Sequence, residues 1–129
     1  MRLTIYLAAA TVFCAVAALA VGEWGQSRFG IYGTTWAYVD HGKSVRKTID
    51  VHGNYVENAV SGEHIDHGTA VMKASRICFT SAMTNDGEVC WSATPIAIGN
   101  SMVTVSDKGQ KLKVTRINYV DLPMARICC

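Results

Sequence analysis

The residues whose types and spacing could support chemistry are few, and the densest group is His64-Ile65-Asp66-His67. Imidazoles and carboxylates are ligands that transition metals accept in proteins. In a regular extended strand, residues three positions apart point to opposite faces, so His64 and His67 converge only on a turn or a helical stretch. The pattern keeps a metal-assisted hydrolase around His64, Asp66 and His67 open as an alternative function.

The cysteines are the second candidates for chemistry. Cys14 lies near the amino terminus, Cys78 and Cys90 lie in the middle, and Cys128 and Cys129 end the chain. A catalytic thiol needs a depressed pKa and a neighbouring base. A match between the two central cysteines argues instead that they are bonded to each other.

That match comes from the alternation of side chains between the two faces of a strand. If Cys78 stands opposite Cys90 across the turn Asn85-Asp86-Gly87, the same register pairs the flanking apolar residues on the other face. These pairs are Ile77 with Trp91 and Phe79 with Val89. One register therefore brings the two cysteines together and pairs the apolar residues, and it predicts a Cys78–Cys90 disulfide. The alternative is two reduced cysteines that pack as small apolar residues.

Turn signals separate the elements that must position these residues. Gly-containing turns recur about every ten residues, and short strand-like runs lie between them. The runs are 34–39, 44–50, 55–60, 69–73, 76–82, 88–93, 102–106 and 111–119. This spacing predicts an all-β domain of about eight strands in an antiparallel meander, closed as a small barrel or packed as a sandwich.

The last predicted hairpin has its own apolar alternation. Val103 and Val105 share one parity, and across Asp107-Lys108-Gly109 they can face Leu112 and Val114. Glycine supplies the left-handed backbone conformation of such a turn. We therefore expect the two valines to pair with Leu112 and Val114 across this turn.

The amino terminus has the order of parts of a secretory signal. Arg2 precedes an apolar, alanine-rich stretch that ends in Ala18-Leu19-Ala20. This order predicts a signal peptide over residues 1–20, helical within the membrane, and a single β domain over residues 21–129. An uncleaved anchor is the alternative, because the stretch nearly reaches the length that spans a bilayer. Either way the domain is expected to be exported, to the periplasm or outside the cell.

Charge and motifs exclude several classes of function. The chain carries a net charge of only +2, so nucleic acid is not expected as a partner. The sequence contains no Gly-x-Ser-x-Gly elbow and no phosphate-binding glycine loop. We predict no cofactor, and contact with a membrane only through an uncleaved amino-terminal segment.

One resemblance starts at Gly33-Thr34-Thr35-Trp36. A glycine shortly before a tryptophan on the first strand, followed by a meander, is similar to the opening of the lipocalin- and avidin-like barrels of the calycin group. Two residues separate Gly33 from Trp36, whereas lipocalins usually have one. The stretch from Asp66 to Gly109 also looks like small exported bacterial proteins of unassigned function. The resemblance implies a barrel and an exported location, and it supplies no residue roles.

These observations favour a non-enzymatic binding protein. Four aromatic residues are expected to line the barrel interior: Trp36, Tyr38, Phe79 and Trp91. They could hold a small apolar ligand or contact a partner protein. The alternative is that a small barrel simply fills its interior with such side chains.

Overall fold

Eight β-strands separated by short turns make up the described part of the chain. The computed structural model describes residues 30–124, so the predicted signal helix, Cys14, Cys128 and Cys129 lie outside the described residues. The strands are β1 (Thr34–Asp40), β2 (Lys43–Ile49), β3 (Asn54–Ala59), β4 (His64–Lys73), β5 (Arg76–Ser81), β6 (Glu88–Ser92), β7 (Ser101–Val105) and β8 (Lys111–Ile117). The prediction of an all-β meander of about eight strands is confirmed. Within residues 30–124, no helix is long and apolar enough to cross a membrane.

All eight strands belong to one antiparallel sheet in the order β6-β5-β4-β3-β2-β1-β8-β7. The sheet curls until its two edges, β6 and β7, nearly meet. Trp91 and Ser106 form a β-bridge there, and the Asp107 N–H donates a hydrogen bond of 2.9 Å to the Cys90 carbonyl. The architecture is therefore a nearly closed barrel. Of the two predicted architectures, the structure has the barrel and not the sandwich.

Alternation along the strands divides side chains between the barrel interior and its outer face. The buried apolar cluster lies inside and consists of Ile31, Trp36, Ile49, Tyr55, Ala70, Ile77 and Val114. Ile49 and Tyr55 are directly opposite in the β2–β3 register, and neither is more than 2% exposed. Adjacent strands thus contribute side chains at the same level to one shared core.

The β5–β6 hairpin has the register that the sequence predicts. Cys78 lies opposite Cys90 and the two sulfurs form a disulfide. Ile77 lies opposite Trp91, and Phe79 lies opposite Val89. The predicted pairing of this hairpin is confirmed.

The β7–β8 hairpin differs from its prediction. Val103 lies opposite Lys113, and Val105 lies opposite Lys111. The expectation that the valines pair with Leu112 and Val114 is therefore wrong, and Val103 is 63% exposed. The buried face of β7 carries the intervening residues, Met102 and Thr104, which lie opposite Val114 and Leu112. The pairing of β8 with β1 directs Leu112 and Val114 inwards. The tight turn at residues 106–110 sets the register of β7 against β8, and this register turns the valines outwards.

Gly68 allows a close approach between β4 and β5. A β-carbon built on this glycine would collide with the backbone carbonyl oxygen of Thr80. Only glycine fits where another backbone comes so near. The curvature of the barrel at this point therefore depends on the missing side chain.

The C-terminal segment, residues 118–124, is tied to the outer face of the barrel. Thr35 and Thr48 are paired across β1 and β2, and their hydroxyls lie 2.8 Å apart. The Val120 N–H donates to Thr35 Oγ1 at 2.9 Å, and Thr48 Oγ1 donates to the Val120 carbonyl at 2.5 Å. Further along, Asn58 Nδ2 donates to the Pro123 carbonyl at 2.9 Å. Side chains from three strands thus bond backbone groups of Val120 and Pro123 and hold the segment against the barrel.

Candidate functional site

The barrel encloses a cavity of about 410 Å³ that is open to solvent. All four aromatic residues that the sequence nominates line it: Trp36, Tyr38, Phe79 and Trp91. Trp36 is buried, whereas the other three are only partly buried. The cavity therefore has aromatic surface that the protein does not cover with its own side chains.

Strand alternation explains why these rings converge. Trp36 and Tyr38 are two residues apart on β1, so they point to the same face. Phe79 has the parity of Ile77, which lies opposite Trp91. The side chains of β1, β5 and β6 thus meet from different sides of the barrel. Their convergence requires only an unbroken period of two in each strand.

The wall of the cavity also carries an ion pair that sequence reasoning missed. Lys47 Nζ lies 2.7 Å from Glu57 Oε2, and the two side chains are only 17% and 11% exposed. The residues are directly opposite in the β2–β3 register. Lys47 is two residues from Ile49, and Glu57 is two residues from Tyr55. Strand alternation could therefore have placed both charges inside the barrel. General rules that assign charged residues to the surface argue against that placement.

Aromatic rings surround the ammonium of Lys47. Its Nζ lies 4.3 Å from the centre of the Phe79 ring, 5.1 Å from that of Tyr55 and 6.0 Å from that of Tyr38. A cation over an aromatic face is attracted by the negative potential of the ring. The rings and Glu57 together stabilise the charge of Lys47 inside the barrel.

Two tyrosines complete the polar part of the interior. Burial raises the pKa of Tyr38, and the nearby charge of Glu57, to which its hydroxyl donates a hydrogen bond, raises it further. Burial also raises the pKa of Tyr55, whose hydroxyl donates to Asp66 Oδ2 at 2.7 Å. Ser81 donates to the other oxygen of Asp66 at 2.5 Å. Asp66 is thus held by hydrogen bonds from both neighbouring strands, β3 and β5, whereas Tyr38 reaches Glu57 from β1.

The structure brings together two of the three predicted metal ligands. His64 Nε2 lies 2.9 Å from His67 Nδ1. They meet within β4, where a register shift opposite Glu57 and Asn58 interrupts the regular alternation. Two residues three positions apart were expected to converge only on a turn or a helix. That expectation did not consider a bulge, whose extra residue places both histidines on one face of the strand. Asp66 is held elsewhere, by Tyr55 and Ser81.

Hydrogen bonds also assign the ring tautomers of this histidine pair. Because Asn58 donates through Nδ2 to Pro123, its Oδ1 accepts from His64 Nδ1 at 2.7 Å. The Nε2 atom of neutral His64 is then an acceptor, so His67 donates to it through Nδ1. Through Asn58, the pair connects the C-terminal segment to β4.

Metal-ligand spacing occurs elsewhere in the described range. Among residues 30–124, three potential ligands lie close enough together to share an ion: Cys78, Glu88 and Cys90. The two sulfurs are bonded to each other, and a disulfide is not a thiolate ligand. The two cysteines therefore link the strands of the β5–β6 hairpin, and this group does not indicate a metal centre.

The mouth of the cavity is polar and of mixed charge. Asp40, His41, Gln110 and Lys111 belong to its lining, beside the turns that follow β1 and precede β8. His41 Nδ1 lies 2.8 Å from Asp40 Oδ1, and both side chains are at least half exposed. Solvent screens charges at such positions, so the mouth offers no strong selection for either sign.

Comparison of the chain with known proteins matched no family model, no curated protein and no solved structure.

Proposed function

We propose that this protein is an exported, non-enzymatic binding protein that holds a small, mainly apolar ligand inside its barrel. The observation that carries the proposal is the open cavity of about 410 Å³ with four aromatic residues in its wall. Small-molecule sites in proteins have volumes of about 300 to 1,000 Å³ and are lined mostly by apolar and aromatic side chains with a few polar groups. The cavity has this size and this composition.

The incomplete burial of the lining supports a binding role. A barrel of eight strands can fill its interior with its own side chains. Here Tyr38, Phe79 and Trp91 pack against the core and are only partly buried. When a ligand covers accessible apolar ring surface, binding is favoured by about 25 cal/mol for each Å² removed from water.

The enzymatic alternative has less support. A metal-assisted hydrolase around His64, Asp66 and His67 needs the three side chains to point at one ion. Tyr55 and Ser81 hold Asp66, whereas the histidines bond each other and Asn58. Sharing an ion would require both sets of hydrogen bonds to break.

Two features support an exported location. The Cys78–Cys90 disulfide is a type of bond that persists in oxidising compartments and is rare in the cytosol. The apolar stretch after Arg2 has the composition of a secretory signal. Together they favour a protein that works in the periplasm or outside the cell.

Fluorescence of the neutral dye N-phenylnaphthylamine tests the proposal. We expect the native protein to enhance the emission of the dye, and Met102→Trp, which adds volume inside the cavity, to reduce the affinity at least about tenfold. Val103→Trp is the matched control, because the adjacent residue is 63% exposed on the outer face. Absence of binding to the native protein, or equal loss in both variants, would contradict a site inside the barrel.

A further inference from the structure

We infer that the barrel selects uncharged ligands, because Lys47 and Glu57 neutralise each other at the wall of the cavity. This inference rests on the proposed function and names the ligand class of the same site. The two groups face each other at 2.7 Å, and both line the cavity. A ligand that enters the barrel therefore meets a polar pair with no net charge.

Each charge of the pair already has its partners. Lys47 contacts the Glu57 carboxylate and the face of Phe79. Glu57 also accepts a hydrogen bond from Tyr38. A charged ligand could take one member of the pair only by displacing the other, which would leave a buried charge without a partner.

The low exposure of the pair makes such a displacement costly. Lys47 and Glu57 are 17% and 11% exposed, so water has limited access to either charged group. A ligand charge that enters this environment loses its own hydration, and attraction to one member of the pair is offset by repulsion from the other. An uncharged ligand avoids both penalties.

The remaining charges near the cavity do not change this balance. Asp40 and His41 form a contact with each other at the mouth, and they are 50% and 92% exposed. Lys111 lies at the same end and is also exposed. Water screens these groups, whereas the interior pair acts at the depth of the aromatic rings.

The ligand class follows from the surfaces that stay available. Phe79 and Trp91 offer apolar contact, and Lys47 has three donor hydrogens of which one bonds Glu57. A ligand with an aromatic or alicyclic body and an uncharged acceptor, such as a carbonyl or ether oxygen, fits both surfaces. Fatty acids and amines, which are charged at neutral pH, do not.

Two matched pairs of dyes test the inference on the native protein. N-phenylnaphthylamine and anilinonaphthalene sulfonate share a ring system and differ by one negative charge. Diphenylhexatriene and its trimethylammonium derivative differ by one positive charge. We expect each neutral dye to bind at least about tenfold more tightly than its charged counterpart, a difference of about 1.4 kcal/mol. Equal or tighter binding of either charged dye would overturn the selection while leaving the binding function intact, and failure of every dye to bind would remove both.

Charge-removing variants test the cause of the selection. Glu57→Gln leaves Lys47 without its counter-charge, so affinity for the sulfonate should rise at least about tenfold relative to the neutral dye. Glu63→Gln is the matched control, because Glu63 pairs with Lys43 on the exposed surface. If Glu57→Gln does not fold, the double variant Lys47→Gln with Glu57→Gln takes its place, and it should still favour the neutral dyes. Unchanged dye preference in a folded Glu57→Gln protein, or preference for a charged dye in the double variant, would contradict the inference.

Discussion

The hydroxyl of Thr35 accepts a hydrogen bond of 2.9 Å from the backbone N–H of Val120, which lies 85 positions further along the chain. The contact fastens the C-terminal segment to the first strand. Thr35→Val keeps the shape of the side chain but removes the acceptor. We expect the variant to lose about 1 to 3 kcal/mol of stability in urea unfolding, because a partly buried donor is left without a partner.

Hydrogen exchange at the Val120 amide should also accelerate in Thr35→Val. The matched control is Thr115→Val, since Thr115 shares its hydrogen bond with Ser101 at an exposed position. Its cost should stay within about 0.5 kcal/mol. Equal losses in the two variants would show that the segment is not held by Thr35.

Gly68→Ala should be among the most destabilising single substitutions in the chain. The added β-carbon would overlap the carbonyl of Thr80, so β4 and β5 must separate. We expect a loss of at least about 3 kcal/mol in urea unfolding, beyond the range of ordinary substitutions. Gly30→Ala is the control, because the nearest atom to its new β-carbon is 4.0 Å away. Similar unfolding midpoints for both variants would refute the close approach of the two strands.

The Cys78–Cys90 disulfide should stabilise the folded protein mainly by restricting the unfolded chain. The residues are 12 positions apart, and a loop of this size corresponds to about 3 kcal/mol on chain-entropy grounds. Cys78→Ala with Cys90→Ala should lower the unfolding free energy by roughly this amount. Peptide mapping of the native protein without reductant should recover the two cysteines in one linked product. Free alkylation of both thiols would contradict the bond.

Trp91→Ala should test whether the aromatic lining also supports the fold. Trp91 packs against the core cluster and forms the bridge to Ser106 where the barrel edges meet. A loss of about 3 to 5 kcal/mol is expected from large-to-small substitution at such a position. Thr80→Ala, at an exposed position of the same hairpin, should cost far less. A Trp91→Ala protein that keeps its urea midpoint and loses dye binding would show that the ring serves the ligand alone.

Alkaline pH should destabilise the protein through Tyr38. Its folded pKa is raised by burial and by Glu57, whereas a tyrosine in the unfolded chain ionises at about pH 10. Above that pH the unfolded state loses the proton first, so the stability present at lower pH is lost as the pH rises. Urea unfolding between about pH 9 and about pH 11 should show this loss, and Tyr38→Phe should reduce it. Tyr55, whose pKa is raised in the same direction, accounts for part of what remains. An identical pH profile in Tyr38→Phe would refute the contribution of Tyr38.

Local alternation predicted those parts of the fold in which sequence neighbours pair with each other. The β5–β6 register follows from Cys78 and Cys90 together with the apolar residues beside them. The β7–β8 register does not, because the turn at residues 106–110 sets a pairing one residue away from the one that would place Val105 opposite Leu112. A period of two is visible in one strand, whereas its phase relative to the core depends on the whole sheet.

In the candidate site, too, strand alternation predicted some features and did not predict others. The aromatic lining was predictable because Trp36, Tyr38, Phe79 and Trp91 follow strand alternation. The Lys47–Glu57 pair was missed because charged residues are usually assigned to the surface, and because the ring nearest to Lys47 is Phe79 on the distant strand β5. The contact between His64 and His67 depends on a bulge in β4, and no residue type in that stretch predicts a bulge.

The order of strands in the sheet has a consequence for how the cavity arises during folding. Every ladder joins neighbours along the chain except the one between β1 and β8. Contacts between distant residues form late, because the entropy of closing a long loop is lost before the contact is gained. We therefore expect the β7–β8 hairpin to dock on an already formed meander of β1 to β6. Met102 and Leu112 of that hairpin are part of the cavity wall, so the complete cavity is the last feature that the folding chain acquires.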